Sequence, residues 1–165
     1  MTETNTPKPP TPSEPPTEPS ARILFCTDFS DTADRAFDRA IDSAVCRPGS
    51  QLILLHVIPE PDAQFWRTYI YEVNGVDEKA RGDVDAKIAE TYAPRVPDGV
   101  TFRVEVRIGS VPDEILAFAK KEQVSLIIVG RRGHSSLTEL VFGAVADKIV
   151  RRARCPVLVV PEARK

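Results

Sequence analysis

The sequence predicts an α/β protein with an open, parallel, five-stranded sheet and helices on both faces. Three observations carry this prediction. Short apolar runs alternate along the chain with segments whose apolar residues recur at helical spacing. Such alternation is typical of parallel strands joined by right-handed helical crossovers. A loop containing glycines also follows the fourth apolar run, at the end of a strand where ligands of such sheets bind.

The first predicted strand, Ile23–Thr27, is a short apolar run. The next segment, Asp31–Val45, is predicted to be a helix because its apolar residues recur at i, i+3, i+4 and i+7. Ser30 or Asp31 can cap its start, since a short side chain with an oxygen accepts hydrogen bonds from the first turn. The dipeptide Pro48-Gly49 ends this helix.

The second strand is predicted over Leu52–Ile58 and is stopped by proline. The segment 62–93 that follows leaves alternatives open. Asp77–Tyr92 has a helical pattern in spite of Gly82. The aromatic stretch Phe65–Tyr71 fits either a helical turn packed on the sheet or a flap or partner surface.

The remaining elements continue the alternation. Thr101–Arg107 alternates apolar and polar residues, which suits a half-exposed strand near a sheet edge. A helix is predicted from Pro112 to Glu122, with proline at its first position and acids in its first turn. The last three elements are a strand at Leu126–Val129, a helix at about Gly143–Arg152 and a strand at Val157–Val160.

The segment after the fourth strand has the residues needed to hold a phosphate. Gly130 and Gly133 follow the strand, and Gly143 precedes the helix. Glycine lets the main chain approach a ligand closely, and a helix start offers unpaired N–H groups and the positive end of a dipole. We therefore expect a nucleotide-binding module. The alternative for the same glycines is tight turn packing without a ligand.

Composition and net charge argue against several classes of function. The chain has 165 residues and a net charge of −2, which argues against a binder of nucleic acid or anionic membrane, whose surface would be basic. No apolar run approaches the roughly 20 residues of a membrane helix, and no secretion signal is evident, so we expect a cytoplasmic location. Three cysteines without C-x-x-C spacing and two distant histidines predict neither a disulfide framework nor a tightly bound metal.

Residues 1–20 are predicted to form a disordered tail. They contain seven of the 15 prolines and too few apolar residues to offset the entropy of ordering the chain. Polyproline II character suits a plain solvated tail or a segment for an SH3-like partner. Residues 21–162 are the predicted folded domain.

Several stretches together resemble the universal stress protein family over Arg22–Pro161. They are Ile23–Ser30, Leu54–Val57, the pattern G-x2-G-x9-G from Gly130 to Gly143, and Cys155–Val160. The resemblance implies the strand order 3-2-1-4-5, in the layout of adenine nucleotide alpha hydrolase-like folds. It also implies binding of ATP, with or without magnesium, or of another adenine nucleotide. In this family the role is stress response or regulation.

The resemblance further implies which residues bind the nucleotide. Asp28 matches the position that meets the ribose or adenine, with capping of the first helix as its alternative role. The main chain of Val57 matches the position that reads the adenine edge. The implied set is Cys26, Thr27, Asp28, Val57, Val129, Gly130, Gly133, Gly143, Ala144 and Val145.

Ala144 stands where the family's pattern has serine or threonine. Loss of that hydroxyl costs about 0.5–1.5 kcal/mol, or up to about tenfold in affinity. Weaker ATP binding is the expected result. Arg131 or Arg132 can compensate by turning its charge inward.

Fast catalysis is not expected, because the chain lacks a G-x-x-x-x-G-K-[ST] loop and an evident general base beside the glycine loop. Any ATP hydrolysis would be slow and incidental. The alternative function is a nucleotide-free, dimeric interaction protein of the same fold. The resemblance implies a homodimer through Val157–Val160, an apolar edge strand that a partner would cover, and a further protein partner is left unidentified.

Overall fold

Five parallel strands hydrogen-bond in the order β3-β2-β1-β4-β5, which confirms the predicted sheet. The computed structural model describes residues 20–59, 76–131 and 143–162, with side chains left out at 76–81. The elements are β1 (Arg22–Thr27), α1 (Asp31–Val45), β2 (Gln51–Pro59), α2 (Val76–Thr91), a 3-10 turn (Ala93–Arg95), β3 (Thr101–Gly109), α3 (Val111–Lys121), β4 (Leu126–Gly130), α4 (Ala144–Arg152) and β5 (Val157–Val160). The aromatic stretch 65–71, the tail and Gly133 lie outside the described residues.

Side-chain alternation along the strands builds two cores, one on each face of the sheet. One core packs the sheet against α1 and α2, and it includes Phe25, Leu54 and Phe37. The other packs it against α3 and α4, and it includes Leu55 and Phe118. A sheet with both faces covered needs the short, apolar strands that the sequence predicts.

The two edges of the sheet differ in character. At β3, Arg103 pairs with Glu105 and Glu122 and extends over the ring of Phe118. Charged side chains of this kind discourage pairing with another strand, and the predicted half-exposed edge is confirmed. At β5 the edge carries Leu158, which is 38% exposed.

The helices can also be compared with the length and apolar character that a membrane-spanning helix requires. None of those within the described ranges is both long and apolar enough to cross a membrane.

Candidate functional site

The strand order reverses between β1 and β4. From β1 the chain runs over one face through α1 to β2, and from β3 it returns over the other face through α3 to β4. Open α/β sheets hold their ligands at such a reversal, outside the carboxyl ends of the strands, so the crevice expected in this protein lies beyond the ends of β1 and β4. Thr27 and Gly130 are the last residues of these two strands.

The turn after β1 is held by the Thr27 hydroxyl. Its Oγ1 accepts a hydrogen bond from the Phe29 N–H at 2.9 Å and lies 2.7 Å from the hydroxyl of Tyr92. Burial raises the pKa of Tyr92, although its hydrogen bond with Thr27 opposes that shift. Thr27 is itself buried, so its side chain serves the turn and does not face the crevice.

Asp28 is exposed at the start of this turn. Its Oδ1 accepts hydrogen bonds from Ser30, at 3.1 Å from the main-chain N and 2.6 Å from Oγ. The Ser30 hydroxyl in turn accepts from the Ala33 N–H, which makes Ser30 the cap of α1. Of the two predicted caps, Ser30 and Asp31, Ser30 is thus confirmed. Asp28, for which capping was the alternative role, accepts from Ser30 and is not itself the cap.

Phe29 has a left-handed backbone, with φ of 62°. Its ring centroid lies 4.8 Å from that of His56 and 6.0 Å from that of Tyr92, and the Lys87 ammonium lies 4.4 Å from it. Sequence reasoning did not assign this cluster to the site. The available signal was the dipeptide Asp28-Phe29 at a strand end, because a short acid before a turn favours unusual backbone angles.

His56 is held beside this ring by its Nδ1, which lies 2.8 Å from the Thr27 carbonyl oxygen. A carbonyl oxygen only accepts, so Nδ1 carries the proton. Burial lowers the pKa of His56, and the hydrogen bond to Thr27 and the charge of Asp28 oppose that shift. The imidazole is therefore neutral near pH 7, with Nε2 as an acceptor.

The end of β4 contacts the start of α1. A Cβ added at Gly130 would lie 3.0 Å from the main-chain carbon and Oγ1 of Thr32 and 3.1 Å from the nitrogen of Ala33. Glycine at this position is therefore required by the close approach of the helix. Gly130 still borders the crevice, through its main chain.

Main-chain hydrogen bonds join the residue that follows β4 to β5 and to the residue that precedes α4. The Arg131 N–H donates to the Val160 oxygen at 2.8 Å, and the Gly143 N–H donates to the Arg131 oxygen at 2.9 Å. The first residue of the loop is thereby fixed beside the start of α4. The Nε of Arg131 is buried, and no hydrogen-bond partner is found for it among the described residues.

Helix α4 begins without a side-chain cap. Gly143 is its N-cap, and its φ of −59° and ψ of 143° are open to any residue. Ala144 is exposed, Val145 is 37% exposed, and neither side chain can accept a hydrogen bond from the first turn. Gly143, Ala144 and Val145 thus supply no side-chain acceptor to the first-turn N–H groups of α4, and uncapped N–H groups at a helix start are the arrangement that favours an anion.

The other predicted site residues are placed by the strands themselves. The side chains of Cys26, Val57 and Val129 are buried in the core beneath α3 and α4, so only their main chains can meet a ligand. Burial raises the pKa of the Cys26 thiol, which keeps it protonated. Strand β2 extends through Val57 to Pro59, beyond its last pair with β1 at His56, so the main chain of Val57 borders the crevice.

The structure therefore places nine of the ten implied positions at the ends of β1, β2 and β4 and the start of α4, and Gly133 lies outside the described residues. Among the side chains that are described, no group of three or more His, Cys, Asp or Glu residues is placed to hold a metal ion.

Sequence comparison matches this chain over residues 20–161 to the model of the universal stress protein family. Universal stress protein MJ0531 of Methanocaldococcus jannaschii is 37% identical over 156 residues, which cover 87% of this chain and 84% of that protein. Universal stress protein YxiE of Bacillus subtilis is 32% identical over 145 residues, which cover 84% and 97% respectively.

Solved structures share the fold. Hypothetical protein MJ0577 matches with a TM-score of 0.70 and 29% identity, over 88% of this chain and 98% of that one. A universal stress protein from Archaeoglobus fulgidus in complex with dAMP has a TM-score of 0.60 and 18% identity, over 85% and 96%. A universal stress protein in complex with cAMP has a TM-score of 0.55 and 22% identity, over 86% and 96%.

Proposed function

The chain belongs to the universal stress protein family, and on that premise we propose that it binds an adenine nucleotide in the crevice between β1 and β4. ATP, with or without magnesium, is the ligand that we propose first. The binding would serve a stress-response or regulatory role in the cytoplasm, with little or no catalysis.

The start of α4 carries this proposal. Its N-cap Gly143 supplies no side-chain hydrogen bond to the first turn and donates its own N–H to the main-chain oxygen of Arg131, whose Nε is buried and has no partner among the described residues. Burial of a guanidinium nitrogen lowers the stability of the fold unless a hydrogen-bond acceptor pairs with it. A phosphate would satisfy both the guanidinium and the helix start, since Arg and helix N-termini are the usual partners of phosphate oxygens.

The nucleoside would lie toward β1. Asp28 is exposed there and is held by Ser30, and its carboxylate would accept hydrogen bonds from the sugar hydroxyls. The main chain of Val57 continues past the end of β1, where it can pair with the edge of a base. Two universal stress proteins of the same fold were solved with dAMP and with cAMP, which supports an adenine ligand rather than a bare phosphate.

The second candidate function is that of an interaction protein with the same fold that binds no nucleotide. Ala144 removes a hydroxyl at the start of α4, and Leu158 leaves an apolar side chain exposed on the edge strand β5. These two features favour a dimer that acts through protein partners. The β5 edge would pair with its counterpart across a two-fold axis, and this pairing is compatible with either function.

The experiment that tests the proposal is direct. The purified protein is denatured and the supernatant is analysed for adenine nucleotide by chromatography and absorbance, and the native protein is melted with and without ATP. Bound ATP at about 100 times its Kd should add about 2.7 kcal/mol to the free energy of unfolding. Absence of released nucleotide, together with an unchanged melting temperature at millimolar ATP, would leave the interaction protein as the function.

A further inference from the structure

We propose that Phe29 is a positioning residue, which fixes the carboxylate of Asp28 where the sugar of the nucleotide would meet it. The inference rests on the proposed nucleotide site and concerns its nucleoside half. Phe29 touches no ligand in this account. It acts through the shape of the turn that it holds.

The main chain of Phe29 adopts an uncommon conformation. Phe29 has a φ of 62°, a conformation that few residues other than glycine, asparagine and aspartate adopt readily. The Thr27 hydroxyl holds the Phe29 N–H at 2.9 Å. A turn of this kind reverses the chain directly after β1, and it exposes Asp28 while Phe29 is drawn inward.

The ring of Phe29 is held by its neighbours. It lies against His56 and Tyr92 and under the ammonium of Lys87, with centroid distances of 4.8, 6.0 and 4.4 Å. Two of these neighbours are themselves fixed through Thr27, because its carbonyl oxygen holds His56 and its hydroxyl holds Tyr92. The ring therefore has one place to lie, and that place determines the direction of the turn.

The carboxylate of Asp28 is oriented by Ser30. Both donors of Ser30 converge on Oδ1 of Asp28, and Ser30 is in turn fixed as the cap of α1. The carboxylate is thus oriented by a residue two positions on, across Phe29. If the ring is lost, the turn between Asp28 and Ser30 can relax, and the carboxylate no longer meets the sugar in one orientation.

The test is a double-mutant cycle on nucleotide affinity in the full-length protein. Adenosine and ATP are titrated by calorimetry into the wild type, Phe29→Ala, Asp28→Ala and the double variant, and melting temperatures are recorded for each. The matched control is Phe102→Ala, a partly buried phenylalanine of the same core that lies against Phe37 on the edge strand β3.

Phe29→Ala should weaken adenosine and ATP by the same factor, about tenfold, as expected when a hydrogen bond to a charged group is misplaced. In the Asp28→Ala background the same replacement should change affinity less than about twofold, because coupled residues are not additive. Phe29→Tyr should retain wild-type affinity. Phe102→Ala should lower the melting temperature and leave both affinities unchanged.

Phe29→Gly separates the effect of the backbone conformation from the effect of the ring. Glycine adopts φ of 62° without strain, so this variant should melt at a higher temperature than Phe29→Ala and still bind adenosine weakly. Unchanged adenosine affinity in a folded Phe29→Ala or Phe29→Gly protein would overturn the inference, as would equal losses in the two Asp28 backgrounds. A wild type that binds neither adenosine nor ATP would instead overturn the proposed function.

Discussion

Helices α1 and α4 both begin at the crevice, and their first turns are satisfied in opposite ways. Helix α1 is capped by the Ser30 side chain, which accepts from Ala33 and is oriented by Asp28. Helix α4 begins at Gly143, which has no side chain to offer, beside an arginine nitrogen without a partner among the described residues. Among the described residues, a side chain caps the start of α1 and none caps the start of α4.

This difference assigns a role to each side of the crevice. The β1 side is preorganised, because its polar atoms are already held by Thr27, Tyr92 and Ser30. Under the proposed function, the α4 side would gain a partner when an anion binds. Substitutions on the β1 side should therefore change stability first, and substitutions on the α4 side should change affinity for phosphate first.

The largest expected effect is at the contact between β4 and α1. Gly130→Val should lower the free energy of unfolding by about 3 kcal/mol, because its side chain would clash with the main chain of Thr32. Chemical denaturation measures the loss.

The control is Gly82→Ala, since Gly82 is at an exposed position of α2 and a Cβ there meets nothing within 4 Å. It should gain about 0.5–1 kcal/mol. Equal stability of Gly130→Val and wild type would show that the close approach of α1 does not constrain this glycine.

The next effect tests the preorganised side. Thr27→Val keeps the shape of the side chain and leaves two donors or acceptors, the Phe29 N–H and the Tyr92 hydroxyl, without their buried partner. A loss of about 1–3 kcal/mol in the free energy of unfolding is expected. Tyr92→Phe removes only one of the two hydrogen bonds and should cost less. If the order of these two losses were reversed, Thr27 would not be the centre of the turn.

Arg131→Ala tests the α4 side by affinity. It should weaken ATP about tenfold, the effect of losing a charge-assisted hydrogen bond, and leave adenosine unchanged, because adenosine has no phosphate. Isothermal calorimetry with both ligands measures the contrast.

Arg39→Ala is the matched control for Arg131, since it removes the same charge from an exposed ion pair with Asp42 on α1. An equal loss of ATP affinity in both variants would reduce the effect of Arg131 to net charge.

The smallest effect is a gain. Ala144→Ser restores a hydroxyl at the first position of α4 and should tighten ATP by up to about tenfold. Ala117→Ser, at an exposed position of α3, should leave ATP affinity unchanged. Equal or weaker binding by Ala144→Ser would mean that the missing hydroxyl does not limit the site.

The sequence predicts the fold well because periodicity and turn residues act locally. Each helix and strand named above lies within two residues of its predicted range, and Ser30 is the cap that local chemistry favours. The family pattern predicts nucleotide contacts at the ends of β1 and β4, and these contacts stay a prediction. These predictions rest on neighbours along the chain, which a sequence displays directly.

The contacts within the site depend on residues far apart in sequence. Tyr92 reaches Thr27 across 65 positions, and His56 reaches the same residue across 29. Gly130 illustrates a second limit, because a glycine pattern does not tell whether a ligand or a helix occupies the space beside it. In this protein the main chain of α1 occupies that space.

A titration of isotope-labelled protein with ATP, followed by the amide signals in nuclear magnetic resonance spectra, tests the central claim most directly. We expect saturable shifts at Asp28, Val57, Ala144 and Val145, with adenosine reproducing those at Asp28 and Val57 and leaving the α4 signals largely unmoved. Saturating ATP that leaves all four amides in place, or that shifts only signals remote from the ends of β1 and β4, would contradict the account.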